Sequence, residues 1–170
     1  MAAPYSTKFR MPSGIPGALS ADSQSTIEAI RLSRTVPFDA FGLPGKIVDN
    51  EFTPLESGDT AESVYGMLVR PYPTQGNTSN SAGPGAPGTG PYAGVIADVL
   101  RRGYMSVACV SGTPALNGPV YVQVANGTAD NPIGSIRADE PDTASDAVAI
   151  DAIFMSRGDE AGNVEIAYNI

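Results

Sequence analysis

Residues 71–91 hold the densest run of glycine and proline in the chain, and this run limits what the sequence can fold into. Five prolines and five glycines fall within it. Proline has no backbone N–H to donate and glycine weakens regular structure, so neither a helix nor a central strand can form here. The sequence therefore predicts a long surface loop at 71–91. Loops of this length are uncommon unless they are functional or disordered.

Apolar residues alternate with polar ones in short segments on both sides of this loop. Val120, Val122 and Val124 share one face of a predicted strand, and 164–170 shows the same period of two. Turn pairs such as Asn126-Gly127 separate the segments at a spacing of about ten residues. The spacing predicts an all-β fold, an antiparallel β-sandwich or jelly-roll-like barrel. The predicted strands are 26–32, 63–70, 104–110, 120–125, 148–155 and 164–170, while 95–100 fits either a strand or a short helix.

The 170 residues allow one domain, which the predicted strands place at 26–170. Residues 1–25 are predicted to be an extended N-terminal arm, because Pro4, Pro12 and Pro16 remove backbone donors and favour extended neighbours. The arm also carries five spaced apolar residues, Tyr5, Phe9, Met11, Ile15 and Leu19. Two alternatives stay open at this point: the arm is disordered, or it lies along a neighbouring surface.

The composition excludes several kinds of site. With no histidine and one cysteine, the chain cannot form an intrachain disulfide, a zinc site of imidazoles and thiolates, or a Ser-His-Asp or Cys-His pair. A net charge of −8 offers no basic face for nucleic acid. No apolar run approaches the length of a membrane span, and the N-terminus lacks the apolar core of a signal peptide. We therefore expect no nucleic-acid or membrane partner, and synthesis in the cytoplasm without a signal peptide.

Each motif with a chemical meaning also has a simpler structural interpretation. The run 83–88 matches G-x-G-x-x-G, but its prolines remove N–H donors and no helix follows. The acidic residues between 139 and 151 lack the spacing and central glycine of a calcium loop. Cys109 lies in an apolar strand without a basic neighbour, and Arg157-Gly158-Asp159 are residues that turns select anyway. The sequence therefore predicts no catalytic, cofactor or metal site, and a protein that is not an enzyme.

Several short runs, taken in their order and spacing, resemble a known family. The runs are Gly66–Gln75, Asp98–Met105, Gly118–Val122, Pro132–Gly134 and Gly162–Ile170, with Ile15–Gly17 in the arm. Together they resemble the structural cement proteins of tailed bacteriophages, which decorate and stabilise the capsid. The resemblance spans most of the chain, although the loop at 76–90 looks longer and richer in glycine and proline than the family implies.

This resemblance implies a jelly-roll-like fold on the outer surface of the phage virion, with no cofactor and no catalytic residue. The implied partners are the major capsid protein of a tailed phage and further copies of the same chain, with a dimer favoured over a trimer. The expected function is to bridge major capsid subunits and so to stabilise the mature head. The residues expected to contact the capsid or a neighbouring copy are Phe9, Met11, Ile15, Leu19, Arg70 and Tyr72.

Two other functions remain as alternatives. A carbohydrate-binding jelly-roll module of a phage tail or fibre would present aromatic and polar groups on a concave sheet, yet tryptophan is absent and aromatic residues make up 7% of the chain. An enzyme that cleaves glycans would use two carboxylates, but a chain with 18 acidic residues always offers such a pair. Glycan binding by the isolated protein would favour the first alternative. Turnover that one Asp or Glu substitution abolishes would favour the second.

Overall fold

A computed structural model describes residues 14–71, 91–141 and 143–170. The described part of the chain forms nine strands and two short 3-10 turns, Asp22–Gln24 and Ala61–Ser63, which confirms the predicted all-β fold. The strands are β1 (Thr26–Arg31), β2 (Pro44–Val48), β3 (Glu51–Pro54), β4 (Gly66–Leu68), β5 (Ile96–Ser111), β6 (Pro119–Gln123), β7 (Ile136–Arg137), β8 (Ala147–Phe154) and β9 (Asn163–Tyr168).

The C-terminal half of β5 belongs to a closed barrel. It pairs with β9 on one side and with β7 on the other, and β6 and β8 complete the circuit β5-β7-β6-β8-β9-β5. The β5–β7 pair is parallel, and the other pairs of the circuit are antiparallel. Alternate side chains such as Val120, Val122, Val164 and Ile166 point inward and are fully buried. Closure leaves every strand of the barrel with two neighbours.

The N-terminal half of β5 belongs to a second, open sheet. β4 pairs with one edge of it and β1 with the other, and β2 and β3 extend the sheet beyond β4. A separate apolar cluster packs here around Leu32, Leu68 and Val99. Phe38 and Phe52 stack within it, with ring centroids 5.0 Å apart. One strand of 16 residues therefore runs through both halves of the molecule.

The chain crosses β5 at Gly103. Residues 17–20 hydrogen-bond to one edge of β5, whereas β1 pairs with the other edge, so the segment between them passes over the strand. Gly103 has a φ of 137°, and a Cβ atom there would lie 2.8 Å from the Cα of Ser25. Glycine at this position therefore provides both the backbone angle and the space that the crossing needs.

Most of the strands predicted from alternation are present. The segment 95–100, left open between helix and strand, is the start of β5, which continues through the predicted strand at 104–110. The strand predicted at 63–70 is shorter, since it begins at Gly66 after a 3-10 turn. The strands β2, β3 and β7 were not predicted. Residues 1–13 of the predicted arm, and 72–90 of the predicted loop, lie outside the described residues.

Candidate interaction surface

The arm joins the body beside the middle of β5. Gly17 N–H donates to the carbonyl of Ser106, and Ser106 N–H donates to the carbonyl of Ala18, both at 2.8 Å. Leu19 forms an isolated β-bridge with Met105 and packs against the barrel core. Because β9 occupies the other edge of β5 here, the end of the arm acts as one more short strand of the sheet. We call this contact the arm junction.

Arg70 holds the arm junction from the opposite side. Its backbone N–H donates to the carbonyl of Gly17 at 2.8 Å, and its Nε donates to the carbonyl of Pro16 at 2.9 Å. The guanidinium also lies over the ring of Phe41, 4.6 Å from the centroid, at cation–π distance. Burial lowers the pKa of Arg70 from its usual value, but an arginine stays charged in a protein. Arg70 therefore fixes where the arm leaves the body.

Two glycines make the arm junction tight. Gly17 and Gly42 have φ values of 86° and 81°, in the left-handed region. A Cβ atom on Gly17 would lie 2.6 Å from the Cβ of Phe41, and one on Gly42 would lie 2.7 Å from the backbone nitrogen of Gly17. The two backbones therefore pack directly against each other, which a side chain at either position would prevent.

The structure brings together three of the six residues predicted to contact a partner. Leu19 is half-buried against the barrel core and Arg70 holds the arm, so both already have partners within the chain. Ile15, just before the anchored Pro16, is 53% exposed. Phe9, Met11 and Tyr72 lie outside the described residues. Contact of all six with a capsid or a neighbouring copy stays a prediction.

Strand β1 forms a second exposed region, which the sequence did not single out. All its residues except Ile30 are exposed, so both faces of the strand meet solvent. Next to it, Ile96 at the start of β5 is 73% exposed. The sequence predicted a strand at 26–32, but a strand pattern alone does not say whether its edge and faces are covered.

An apolar groove lies beside this region, between the two ends of the predicted loop. Its lining is mostly aliphatic and aromatic and encloses about 150 Å³. Pro71 and Pro91 form one end, and exposed side chains such as Tyr92 and Val95 form the rim. The groove, Ile27 and Ile96 together give the open sheet an exposed apolar surface.

The polar residues considered in the sequence have structural partners. Asp139 accepts a 2.5 Å hydrogen bond from Arg137, which holds the pKa of that carboxyl below its usual value. Asp146 accepts from the side chain of Asn126 at 2.8 Å. Burial raises the pKa of the Cys109 thiol, which makes it a weak nucleophile. These contacts hold loops and strand ends in place.

The Arg157-Gly158-Asp159 sequence lies in the connection between β8 and β9. The Asp159 carboxylate accepts 2.9 Å hydrogen bonds from the backbone N–H groups of Ala161 and Asn163, as expected of a turn. Within residues 14–71, 91–141 and 143–170, no three acidic or cysteine side chains are placed to hold a metal ion. The same residues include no helix long and apolar enough to cross a membrane.

Three comparisons with known proteins follow from this structure and sequence. A family model described as XM1 gp53 minor capsid protein matches residues 5–168. A solved structure titled "The capsid of Myoviridae Phage XM1" contains a chain that is 18% identical to this one, with a TM-score of 0.66 over 99% of this chain and 98% of that one. At that identity the structural match shows a shared fold. A search of curated proteins finds no match.

Proposed function

Because the chain belongs to the XM1 gp53 minor capsid protein family, we propose that it is a non-enzymatic structural protein of a phage virion that binds the outer surface of the capsid and bridges major capsid protein subunits. The observation that carries this proposal is the family match over residues 5–168. Agreement of the fold with a chain of the XM1 capsid over nearly the full length supports it.

The arrangement of polar side chains supports a structural rather than a catalytic role. Asp139 and Asp159 are both engaged in hydrogen bonds that shape loops. The thiol of Cys109 is half-buried and donates to the carbonyl of Ser111 at 3.2 Å. An active site usually gathers groups with perturbed pKa values in one cleft. Here burial raises the pKa of the Cys109 thiol and the neighbouring Asp139 carboxylate helps to raise it, which makes the thiol a weaker nucleophile.

We place one capsid contact at the arm junction. Ile15 presents an exposed apolar side chain immediately before a backbone that Arg70 and β5 hold in position. A side chain held in this way loses little conformational entropy when a partner covers it, so its burial adds efficiently to binding. In this proposal Leu19 and Arg70 hold Ile15 in position, while Phe9, Met11 and Tyr72 stay predicted contacts with the capsid or a neighbouring copy.

The capsid is stabilised if the protein binds the mature capsid lattice more tightly than any other state of the capsid. Binding to one state shifts the equilibrium toward it by RT ln(1 + [L]/Kd), which is about 2.7 kcal/mol per site at a hundredfold excess over Kd. Bridging also makes the second contact of each copy intramolecular, so weak individual contacts add up across the shell. The charge of −8 fits an exterior site, away from packaged DNA.

The test is binding to purified empty heads that lack this protein. We expect the added chain to bind in a fixed ratio to the major capsid protein and to raise the temperature at which the heads fall apart. Ile15→Asp is expected to weaken binding at least tenfold. Leu116→Asp is the matched control, since Leu116 is also an exposed aliphatic side chain, at 65% against 53% for Ile15, and lies in the loop between β5 and β6. Heads that bind no protein, or heads that bind it without gaining stability, would contradict the proposal.

A further inference from the structure

Within the part of the chain that the structure describes, the outer edge of β1 is open at Ile27 and Ala29. In the antiparallel β1–β5 pair, Leu32 lies opposite Val95 and donates its N–H to that carbonyl at 2.8 Å. Since alternate residues of such a pair bond to the partner strand, Ile27, Ala29 and Arg31 direct their backbone N–H and C=O groups away from β5. Among the described residues, β3 meets this edge at its C-terminal end, where Leu32 forms a parallel bridge with Phe52 and Ser33 N–H donates to Phe52 O, so the Arg31 end is occupied and Ile27 and Ala29 remain.

An open edge of this kind can pair with another strand. Natural edge strands are usually protected by proline, bulges or a covering element. β1 contains no proline, and its one register irregularity lies at its first residue. Its two faces also differ. Ile27, Ala29 and Arg31 lie on the face that carries Ile96. Glu28 lies on the other face, where it accepts from the Tyr65 hydroxyl and lies 3.8 Å from Arg101 Nε.

Residues 5–11 match both faces of this edge. They run Tyr-Ser-Thr-Lys-Phe-Arg-Met between Pro4 and Pro12, with no glycine or proline inside. As a strand, this run would place Tyr5, Phe9 and Met11 on one face and Lys8 and Arg10 on the other. The first set would extend the apolar face of β1 and Ile96, and the second would face the Glu28 carboxylate.

The charge of the chain favours the same pairing. Residues 1–13 contain two basic residues and no acidic one, while the rest of the chain contains 8 basic and 18 acidic residues. The first segment is therefore attracted to the remainder of this protein. By contrast, residues 72–90 hold no charged residue and no alternation of apolar side chains, so they match neither face of β1.

We propose that the open edge of β1 binds residues 5–11 of a second copy of the chain as an added strand, so that exchanged arms link neighbouring copies. The inference goes beyond the proposed capsid function, since it concerns contacts between copies in solution. It assigns the arm a partner of stated chemistry, and main-chain hydrogen bonds to Ile27 and Ala29 would supply much of the affinity.

The geometry shows why the arm must come from another copy. Gly14 lies against Ser106, since a Cβ atom on it would be 3.0 Å from the Ser106 hydroxyl. The centre of β1, Ala29, pairs with Asp98, eight residues away from Ser106, or about 27 Å along β5 and another ~10 Å across the sheet. Lys8, the centre of the run, is six residues from Gly14 and reaches at most about 22 Å.

The test uses sedimentation equilibrium of two full-length variants. Ala29→Pro removes an N–H that points away from β5, so the β1–β5 ladder keeps its hydrogen bonds. Phe9→Ser combined with Met11→Ser changes only the arm. We expect the unmodified chain to be an oligomer and each variant to be a folded monomer, with an unchanged circular dichroism spectrum and a cooperative thermal transition. Ala3→Ser, outside the run, should leave the oligomer intact.

Mixing the two variants gives a readout that misfolding cannot imitate. The Ala29→Pro chain keeps a working arm and the Phe9→Ser, Met11→Ser chain keeps a working edge, so an equal mixture should restore a complex with one copy of each. An unmodified chain that is a monomer, variants that remain oligomers, or a mixture that stays monomeric would each overturn the inference. Binding to heads is measured in a separate experiment. A chain that dimerises but does not bind heads would refute the capsid function and would not contradict this inference.

Discussion

The two halves of β5 support opposite kinds of structure. In the C-terminal half both edges are occupied and the surrounding strands close into a barrel. In the N-terminal half one edge carries β1, whose outer edge is unpaired at Ile27 and Ala29 within the described residues and which is exposed on both faces. The larger apolar cluster includes the barrel interior, whereas β1 contributes no fully buried side chain. The two halves of one continuous strand therefore differ in how completely they are covered.

Truncating the barrel core gives the largest expected effect. Phe154 is 1% exposed in the barrel core, and Phe154→Ala leaves a cavity there, so we expect a loss of about 3–5 kcal/mol in the free energy of unfolding. Ile27→Ala on β1 removes a side chain that is 36% exposed and should cost less than about 1 kcal/mol. Urea denaturation measures both variants. Equal losses in the free energy of unfolding would show that the barrel core and β1 do not differ in how much their side chains contribute to stability.

The crossing between the halves gives the next effect. Gly103→Ala places a methyl group against Ser25 at a φ of 137°, and we expect a loss of roughly 3 kcal/mol from strain and overpacking together. Gly58→Ala is the control, because Gly58 also has a left-handed φ of 91° but open space around it. The control should cost only about 1 kcal/mol. If both variants lose the same amount in urea denaturation, the close crossing at Gly103 contributes nothing.

The sequence predicted the barrel better than the open sheet, for a physical reason. Barrel strands have one buried and one exposed face, so residues such as Val120 and Val122 alternate with polar neighbours and reveal the strand. In β2 a glycine, a residue type that usually interrupts strands, serves the packing of the core instead. A Cβ atom on Gly45 would lie 2.6 Å from Phe52 Cζ and 2.8 Å from Phe38 Cζ, so glycine is there to admit two aromatic rings. Local pattern alone cannot distinguish such a glycine from a turn.

The candidate surface was predictable only in part. Ile15 and Leu19 look alike in the sequence, yet one is exposed and the other packs on the barrel core. Which of them is free depends on the pairing with Met105, about 90 residues later in the chain, and no local pattern encodes that contact. The same holds for β1. Its sequence predicts a strand, while its open edge depends on where the other strands of the sheet end.

The smallest expected effect concerns the arm junction, which attaches the N-terminal arm to β5. Arg70→Gln removes the hydrogen bond to Pro16 and the contact over Phe41, and we expect a loss of about 1–2 kcal/mol. Arg34→Gln is the matched control, because the Arg34 side chain is 69% exposed and its 2.7 Å ion pair with Glu51 should contribute less than about 1 kcal/mol.

Limited proteolysis of the same two variants provides the second readout. Arg70→Gln should speed cleavage before residue 20 without speeding cleavage in the barrel, because a released arm opens locally while the barrel stays closed. Equal cleavage rates in Arg70→Gln and the control would mean that β5 alone holds the arm.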